Sequence, residues 1–281
     1  MQYLIAVDSG HGIQTAGKRT PPIPEKWFNK EKGQAIHEKE FNKPTAEYLI
    51  AALQRCGFRT INVSPGTEDV SLTARWTIAN KAKADAFISI HYNAKDGQWG
   101  TQNGIETIIS QYAGEESKKL AKLVHTELIK ELGRTDRGVK TDIAQSKINI
   151  AVLHNTDMPA ILTESGFMDN LKEAKTMLDP EFQKSAAEAT CKGVCAYFGV
   201  PYITDYTPTG KINKQSDKRA ITWLQERLNI ANTSYTIPIT GLYDAATRAA
   251  VLAFVAQKKW NWDTASGWQV GQGTINELKK F

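Results

Sequence analysis

The stretch YLIAVDSGHG, residues 3–12, indicates the fold class, because an apolar run of strand length ends abruptly in a histidine between two glycines. The same pattern occurs in FISIHYN at 87–93 and in AILTESG at 160–166. Parallel-type sheets gather functional groups at the carboxyl ends of their strands, so we expect the three strand ends to converge. The groups at these ends are His11, His91 and Glu164. Because each can bind a metal or transfer a proton, the pattern predicts a hydrolytic metal site.

Strands and helices alternate through the first 200 residues. Besides the three runs above, strands are predicted over 58–63 and 104–110, and helices over 39–56, 71–83, 114–132 and 180–198. This alternation is typical of an α/β fold, and we expect a twisted, mostly parallel sheet flanked by helices.

The periodic pattern stops after Val200, where Pro, Gly, Thr and Lys follow one another without repeat. We therefore predict a first domain over 1–200, a linker over 201–216 and a second domain over 217–281. The second domain carries three helical patterns and is expected to be a small all-α, three-helix unit.

Composition excludes several classes of protein. The 281 residues are 41% hydrophobic and 23% charged, and the net charge is +5, which is too small for a nucleic-acid-binding surface. No run approaches the roughly 20 apolar residues that span a bilayer, so no membrane association is expected. The N-terminus lacks the pattern of a secretory signal, which predicts synthesis in the cytoplasm without a signal peptide. A monomer is the favoured state.

Three cysteines do not suggest a disulfide framework. Cys191 and Cys195 are four residues apart on a predicted helix, and Cys56 is distant in sequence. A C-x3-C pair without further ligands is a poor zinc candidate, so we expect small buried side chains in a reducing compartment.

Hydrolysis of an amide with zinc requires three protein ligands and one open position. His11 and His91 supply two imidazoles, and the flanking Gly10 and Gly12 permit a tight turn. The third ligand is expected from HEKEFN at 37–42, which offers Glu38, Glu40 and possibly His37. Spacing alone does not choose among them.

Glu164 follows a purely apolar run and should be poorly solvated, which raises the pKa of a carboxyl group toward neutrality. It is a candidate to take a proton from the attacking water and to deliver it to the departing amine. His125 lies inside a predicted helix and His154 lacks a glycine-bounded turn, so neither is expected to be a ligand. His37 is either a neighbour of the site or an exposed side chain.

Four segments together resemble the zinc-dependent N-acetylmuramoyl-L-alanine amidases. They are DSGHG, EKEFN, SIHYN and PAILTESGF, beginning at residues 8, 38, 89 and 159. The resemblance covers residues 1 to about 199, with Ser9 where the family more often has proline. It implies that His11, Glu38 and His91 bind the zinc ion and that Glu164 is the catalytic carboxylate, and it selects Glu38 over Glu40.

The resemblance implies hydrolysis of the bond between the lactyl group of muramic acid and the L-alanine of the peptidoglycan stem peptide. A phage endolysin released through a holin is expected, and a host autolysin of the same activity is the alternative. A metallopeptidase that cuts within the stem peptide and a non-catalytic wall-binding protein are further alternatives. A serine hydrolase is excluded, because the sequence around Ser165 lacks the first glycine of a nucleophile elbow.

The second domain resembles three-helix peptidoglycan-binding domains in WLQERLN at 223–229 and ITGLYDAATRAAV at 239–251. Trp223 is expected in its core. The segment from 13 to 37 is predicted to be a surface loop beside the cleft. The candidates for contact with substrate are Asn93, Trp27, Trp262 and Trp268. Asn93 is expected to cap its strand, and orientation of a ligand is the alternative.

Overall fold

The computed structural model describes residues 2–231, 236–260 and 266–281, and it divides into two compact units, Met1–Tyr202 and Ile203–Phe281. The strands of the first unit are β1 Leu4–Ser9, β2 Arg59–Asn62, β3 Ala86–Asn93, β4 Ile105–Ile109, β5 Asp136–Thr141 and β6 Ala160–Phe167. Its helices are α1 Lys39–Arg55, α2 Leu72–Lys81, α3 Glu115–Leu132, α4 Asp142–Ser146, α5 Ala151–His154, α6 Leu171–Ala174 and α7 Pro180–Phe198. A 3-10 turn, Lys175–Leu178, lies between α6 and α7.

The strands form one six-stranded sheet in the order β2-β1-β3-β6-β4-β5. The first four strands in this order are parallel, and β4 and β5 run in the opposite direction, since β4 pairs antiparallel with β6. The mostly parallel sheet predicted from the sequence is confirmed. Strand β5 was not predicted, because its sequence DRGVKT is largely exposed and has no apolar alternation.

The two faces of the sheet are covered by different helices. Leu4, Phe87 and Leu162 point to the face where α2 and α5 pack. Helices α1 and α3 pack against the sheet, and α7 contacts both of these helices. Because side chains alternate along a strand, neighbours in register share a face, which places Ser89 beside Asp8. The same register brings polar residues at the strand ends together.

Three buried cysteines, Cys56, Cys191 and Cys195, meet between the end of α1 and α7, and none of them forms a disulfide. The Sγ atom of Cys191 lies 3.8 Å from that of Cys56 and 4.0 Å from that of Cys195. Hydrogen bonding to these two thiols, together with burial, raises the pKa of Cys191. The pKa of Cys195 is also raised, to about 12, so the helical pair stays protonated and packs as small buried side chains, as the sequence predicts.

The second unit contains helices α8 Lys218–Ala231, α9 Ala245–Gln257 and α10 Gln272–Leu278. Trp223 is fully buried at its centre, as predicted, and packs in one core with Val251 and Ile275. Two short strands, β7 Ile212–Asn213 and β8 Gln269–Val270, pair antiparallel. Strand β7 lies within 201–216, the stretch predicted to be a linker. It is not predicted from the sequence, because two residues are too few to produce a periodic pattern.

No helix among the residues that the structure describes is long and apolar enough to cross a membrane.

Candidate metal centre

Three side chains that are far apart in sequence meet at the carboxyl ends of β1 and β3. His11 follows β1, His91 lies near the end of β3, and Glu38 directly precedes α1. One possible ligand atom from each lies within 4.8 Å of the others. The two imidazole rings are perpendicular, with centroids 4.8 Å apart. The structure thus brings together the three residues that the sequence proposes as ligands.

The turn that carries His11 depends on the space left by its glycine neighbours. His11 itself adopts the left-handed conformation, with φ of 57°, whereas neither Gly10 nor Gly12 has a positive φ. A Cβ at Gly10 would overlap the ring of His91, and one at Gly12 would overlap the backbone of Asp69. The glycines therefore permit the turn by allowing close approach, whereas the positive φ is at His11 itself.

Glu38 lies buried between the two histidines. Its Oε1 is 2.9 Å from Nδ1 of His91, and its Oε2 is 3.4 Å from Nε2 of His11. The Tyr92 amide and the Asn42 side chain each donate a hydrogen bond of 3.1 Å to Oε1. Burial alone raises the pKa of the Glu38 carboxyl, but the charge of His11 and the hydrogen bond from His91 outweigh it and hold the pKa well below its usual range. Glu38 is therefore held as a carboxylate.

Glu40 is directed elsewhere. Its carboxylate pairs with Lys30 at 2.8 Å and accepts a hydrogen bond of 2.9 Å from the His37 amide. The structure therefore agrees with the resemblance in choosing Glu38. His37 is half-buried and is not part of the three-residue group.

His91 is oriented by a chain of buried hydrogen bonds. Ser89 Oγ donates to Asp8 Oδ2 at 2.7 Å, which leaves the hydroxyl oxygen to accept from Nε2 of His91 at 3.1 Å. Arg75 donates to the other oxygen of Asp8 at 2.9 Å. Nε2 of His91 is thus held by Ser89, whereas Nδ1 shares its proton with the Glu38 carboxylate; a metal would take the place of that proton, so Nδ1 is the atom available to it.

We expect Ser89→Ala to weaken metal affinity by roughly 10- to 100-fold, the range found when a residue that orients a metal-binding histidine is lost. A competition titration against a chromophoric chelator measures this affinity. Ser110→Ala is the matched control, because Ser110 lies 3.2 Å from Nε2 of His154, outside this group. Equal affinity in Ser89→Ala and wild type would show that Ser89 does not orient His91.

Glu164 lies next to His91 in the register of β6 on β3. Its side chain is buried, and its Oε2 has no hydrogen-bond partner among the described residues. Burial, reinforced by the charge of Glu38, raises the pKa of Glu164 well above its usual value. A carboxyl group that is buried, lacks a hydrogen-bond partner on one oxygen and has a raised pKa is suited to proton transfer.

The N-acetylmuramoyl-L-alanine amidase family profile matches residues 5–196. The chain belongs to this family. The amidase CwlM of Bacillus licheniformis is 31% identical over 196 residues, which cover 70% of this chain and 69% of CwlM. The endolysin of Bacillus phage SPP1 is 33% identical over 199 residues, covering 69% of this chain and 65% of the endolysin. The matches support peptidoglycan amidase activity, and the second unit lies beyond the residues that the profile matches.

Solved amidase structures share the fold of the first unit. The N-acetylmuramoyl-L-alanine amidase from Clostridium difficile 630 superposes with a TM-score of 0.61 at 28% identity, over 70% of this chain and 97% of that one. The catalytic domain of CwlV from Bacillus (Paenibacillus) polymyxa var. colistinus gives a TM-score of 0.59 at 28% identity, over 71% of this chain and all of that domain. The amidase fold is thereby established for the first unit.

The three grouped side chains and Glu164 open into a cavity of about 400 Å³. Part of its wall is apolar, with Leu72 and Ile148 more than half exposed at its rim. Amide side chains of Asn93, Gln145 and Asn149 contribute the polar part. The segment around 145–150 was missed by the sequence analysis, because it is short and has no periodic pattern.

The segment from 13 to 37 is more ordered than a surface loop, since Ile23, Trp27 and Ile36 are buried. Trp27 is 3% exposed, and its indole donates to Glu25 at 3.0 Å. A side chain so enclosed presents no face to a glycan or a peptide, which argues against Trp27 as a contact for substrate. Lys18, from the same segment, does line the cavity.

Asn93 lines the cavity and accepts a hydrogen bond of 2.8 Å from the Ala94 amide, which closes the end of β3. Trp268 lies in the second unit, half-buried, with Lys214 Nζ 3.6 Å from its ring centroid. Trp262 lies outside the described residues.

The other histidines have structural partners, as the sequence predicts. His125 contacts Thr107 at 3.0 Å and Asp136 at 2.8 Å, which links α3 to β4 and β5. His154 lies 3.2 Å from both Ser110 and Asp142, but both contacts involve the same ring nitrogen, Nε2. A catalytic triad uses the two different nitrogens, so this group is not one.

Proposed function

We propose that this chain hydrolyses the amide bond between N-acetylmuramic acid and L-alanine in peptidoglycan, with a zinc ion bound by His11, Glu38 and His91. The observation that carries the proposal is the buried carboxylate held between two imidazoles, with the unpaired carboxyl of Glu164 beside them. Two imidazoles and one carboxylate form a donor set of catalytic zinc sites, which leave a further position open.

The protonation states of these residues fit a divalent cation. Burial is the largest influence on His11 and lowers its pKa to about 4, so the ring is neutral at neutral pH and has a free lone pair. Nε2 of His91 is held by Ser89, which leaves Nδ1, beside Glu38, as the atom that a metal would take. Glu38 is ionised. Metal ligands must be deprotonated, so a metal at this site would displace the proton that Nδ1 of His91 shares with Glu38.

When bound, the zinc ion supplies Lewis acidity, which polarises the scissile carbonyl and acidifies water at the site. Glu164, in its ionised form, accepts the proton of the attacking water and then delivers it to the nitrogen of the departing L-alanine. The raised pKa of Glu164 suits both transfers, because the carboxyl group holds a proton more readily than an exposed glutamate does.

Digestion of purified peptidoglycan, with and without a chelator, tests the proposed bond and its metal dependence. We expect new L-alanine amino termini, no new reducing sugars, and loss of both lysis and termini when the metal is removed. Cleaved peptide cross-links without L-alanine termini would identify a metallopeptidase instead. A protein that binds walls but releases no termini at all would be the non-catalytic alternative, against which the presence of all four site residues argues.

An endolysin role is part of the proposal, with release to the wall through a holin. The similarity to the endolysin of Bacillus phage SPP1 supports it. The host-autolysin alternative draws support from LytC of Bacillus subtilis, an N-acetylmuramoyl-L-alanine amidase that is 31% identical over 195 residues, 69% of this chain and 35% of LytC. The genomic neighbourhood distinguishes them, since an adjacent holin gene is expected only for the endolysin.

For the second unit we propose peptidoglycan binding. Its three helices and compact core suit a small independent module. The half-buried ring of Trp268, with Lys214 on one side and Arg248 5.3 Å from its centroid, offers an aromatic and cationic surface to a glycan or an anionic wall polymer.

Deleting 203–281 should weaken binding to insoluble walls by about 100-fold, the lower end of the gain that tethering provides. Ending the chain at Tyr202 keeps the 2.6 Å hydrogen bond from its hydroxyl to Glu188, so the first unit stays intact. Co-sedimentation with purified walls measures binding, and zinc content serves as the control. Equal sedimentation of the truncated and full-length proteins would rule out the anchoring role.

A further inference from the structure

Lys18 lines the cavity beside the metal-ligand group and has no role in the mechanism above. The side chain is half-buried, and no hydrogen bond or ion pair of its ammonium group is found among the described residues. Arg75, which also lines the cavity, is different, because its guanidinium is engaged by Asp8 and Asp69, each at 2.9 Å. Lys18 is thus a cation in the cleft whose hydrogen-bonding capacity is unused.

The backbone of Lys18 is fixed in place. Its carbonyl oxygen accepts a hydrogen bond of 2.9 Å from the amide of Glu38, so the backbone of Lys18 is bonded to that of a proposed metal ligand. Two residues further along the chain, the Thr20 amide donates to the Ile36 carbonyl at 2.9 Å, and the Ile36 amide donates to the Thr20 hydroxyl at 3.0 Å. The lysine therefore projects from an ordered segment, which reduces the entropy lost when it binds a partner.

The cleft differs chemically from side to side. Lys18 lies beside the start of α1, whereas Leu72 begins α2 and Ile150 directly precedes α5. Helices α2 and α5 pack on the face of the sheet opposite α1. The α1 side therefore offers a positive charge, and the α2 and α5 side offers apolar groups.

We propose that Lys18 binds a carboxylate of the stem peptide, on the leaving-group side of the scissile bond. The inference rests on the proposed amidase function. The muramoyl side of that bond carries sugar hydroxyl, acetamide and lactyl groups, which are neutral, whereas the peptide side carries carboxylates, beginning with the acidic residue after L-alanine. Charge complementarity thus directs the peptide toward Lys18 and the glycan toward the apolar side.

The test uses muramoyl peptides whose second residue carries either a free carboxylate or the corresponding amide. Wild type, Lys18→Met and Lys18→Arg are compared by the release of L-alanine amino termini. Lys18→Met should raise KM for the free-carboxylate substrate by about tenfold, the loss expected for one charge-assisted hydrogen bond, with kcat nearly unchanged. The amide substrate should respond little, and Lys18→Arg should restore most of the affinity. Lys32→Met, an exposed lysine of the same segment, is the matched control and should behave as wild type.

An equal loss on both substrates, or a fall in kcat without a change in KM, would overturn the inference, because a contact with the substrate carboxylate affects only the substrate that has one. So would Lys18→Met kinetics that match wild type on both substrates while wild type remains active. If wild type releases no L-alanine termini from either substrate, the proposed function itself fails. The two failures are thus distinguished within one experiment.

Discussion

Replacing Glu164 with glutamine should lower kcat by about 10²- to 10⁴-fold, the range attributed to a general acid–base group, while zinc content stays at one ion per chain. The substitution conserves size and removes only the ability to accept and release a proton. Oε2 of Glu164 has no partner to lose, and Glu164 is not in the three-residue ligand group. Release of L-alanine termini measures the rate, and elemental analysis of the same sample measures the zinc.

The folded state should tolerate this substitution well. Because burial raises the pKa of Glu164, ionising it above its unfolded pKa costs folding free energy that glutamine does not incur. The melting temperature of the metal-free variant at neutral pH should therefore equal or exceed that of wild type. A variant that keeps both zinc and full activity would remove Glu164 from the mechanism.

Glu38→Gln should abolish activity and lower zinc affinity by more than the roughly 100-fold that loss of an orienting residue costs, because Glu38 is itself a proposed ligand. An amide oxygen is a weaker donor than a carboxylate and leaves the site without its negative charge. Isothermal titration of the metal-free protein with zinc measures the affinity directly.

Glu40→Gln provides the matched control, since the residue lies two positions away and undergoes the same chemical change. Its contacts with Lys30 and the His37 amide are outside the ligand group, so zinc affinity and kcat should stay near those of wild type. Equal zinc affinity in the two variants would mean that the third ligand has been misassigned.

Much of this site could be predicted from the sequence, because three of its four residues lie at the ends of strands. The apolar runs before His11, His91 and Glu164 are fully buried strands, and such runs are readable from sequence. Ser89 also had a usable signal, since it lies two residues before His91 and therefore on the same face of the strand. Its partner Asp8 could not be inferred until the register of β1 on β3 was known.

The choice between Glu38 and Glu40 could not be made from spacing. Both lie at the start of α1, and only the tertiary fold decides that one is buried between the histidines while the other meets Lys30. The antiparallel direction of β4 could not be predicted from the sequence either, because the composition of a strand does not depend on its direction. Lys18 and the 145–150 segment reach the cavity through irregular backbone, for which periodicity gives no prediction.

We propose that His11, Glu38 and His91 hold one zinc ion beside Glu164. Anomalous X-ray diffraction from crystals of the zinc-loaded protein, recorded on both sides of the zinc absorption edge, tests this proposal. We predict a single peak bonded to Nε2 of His11, Nδ1 of His91 and the Glu38 carboxylate. Absence of a peak at these three residues, or a peak instead among the thiols of Cys56, Cys191 and Cys195, would contradict the claim.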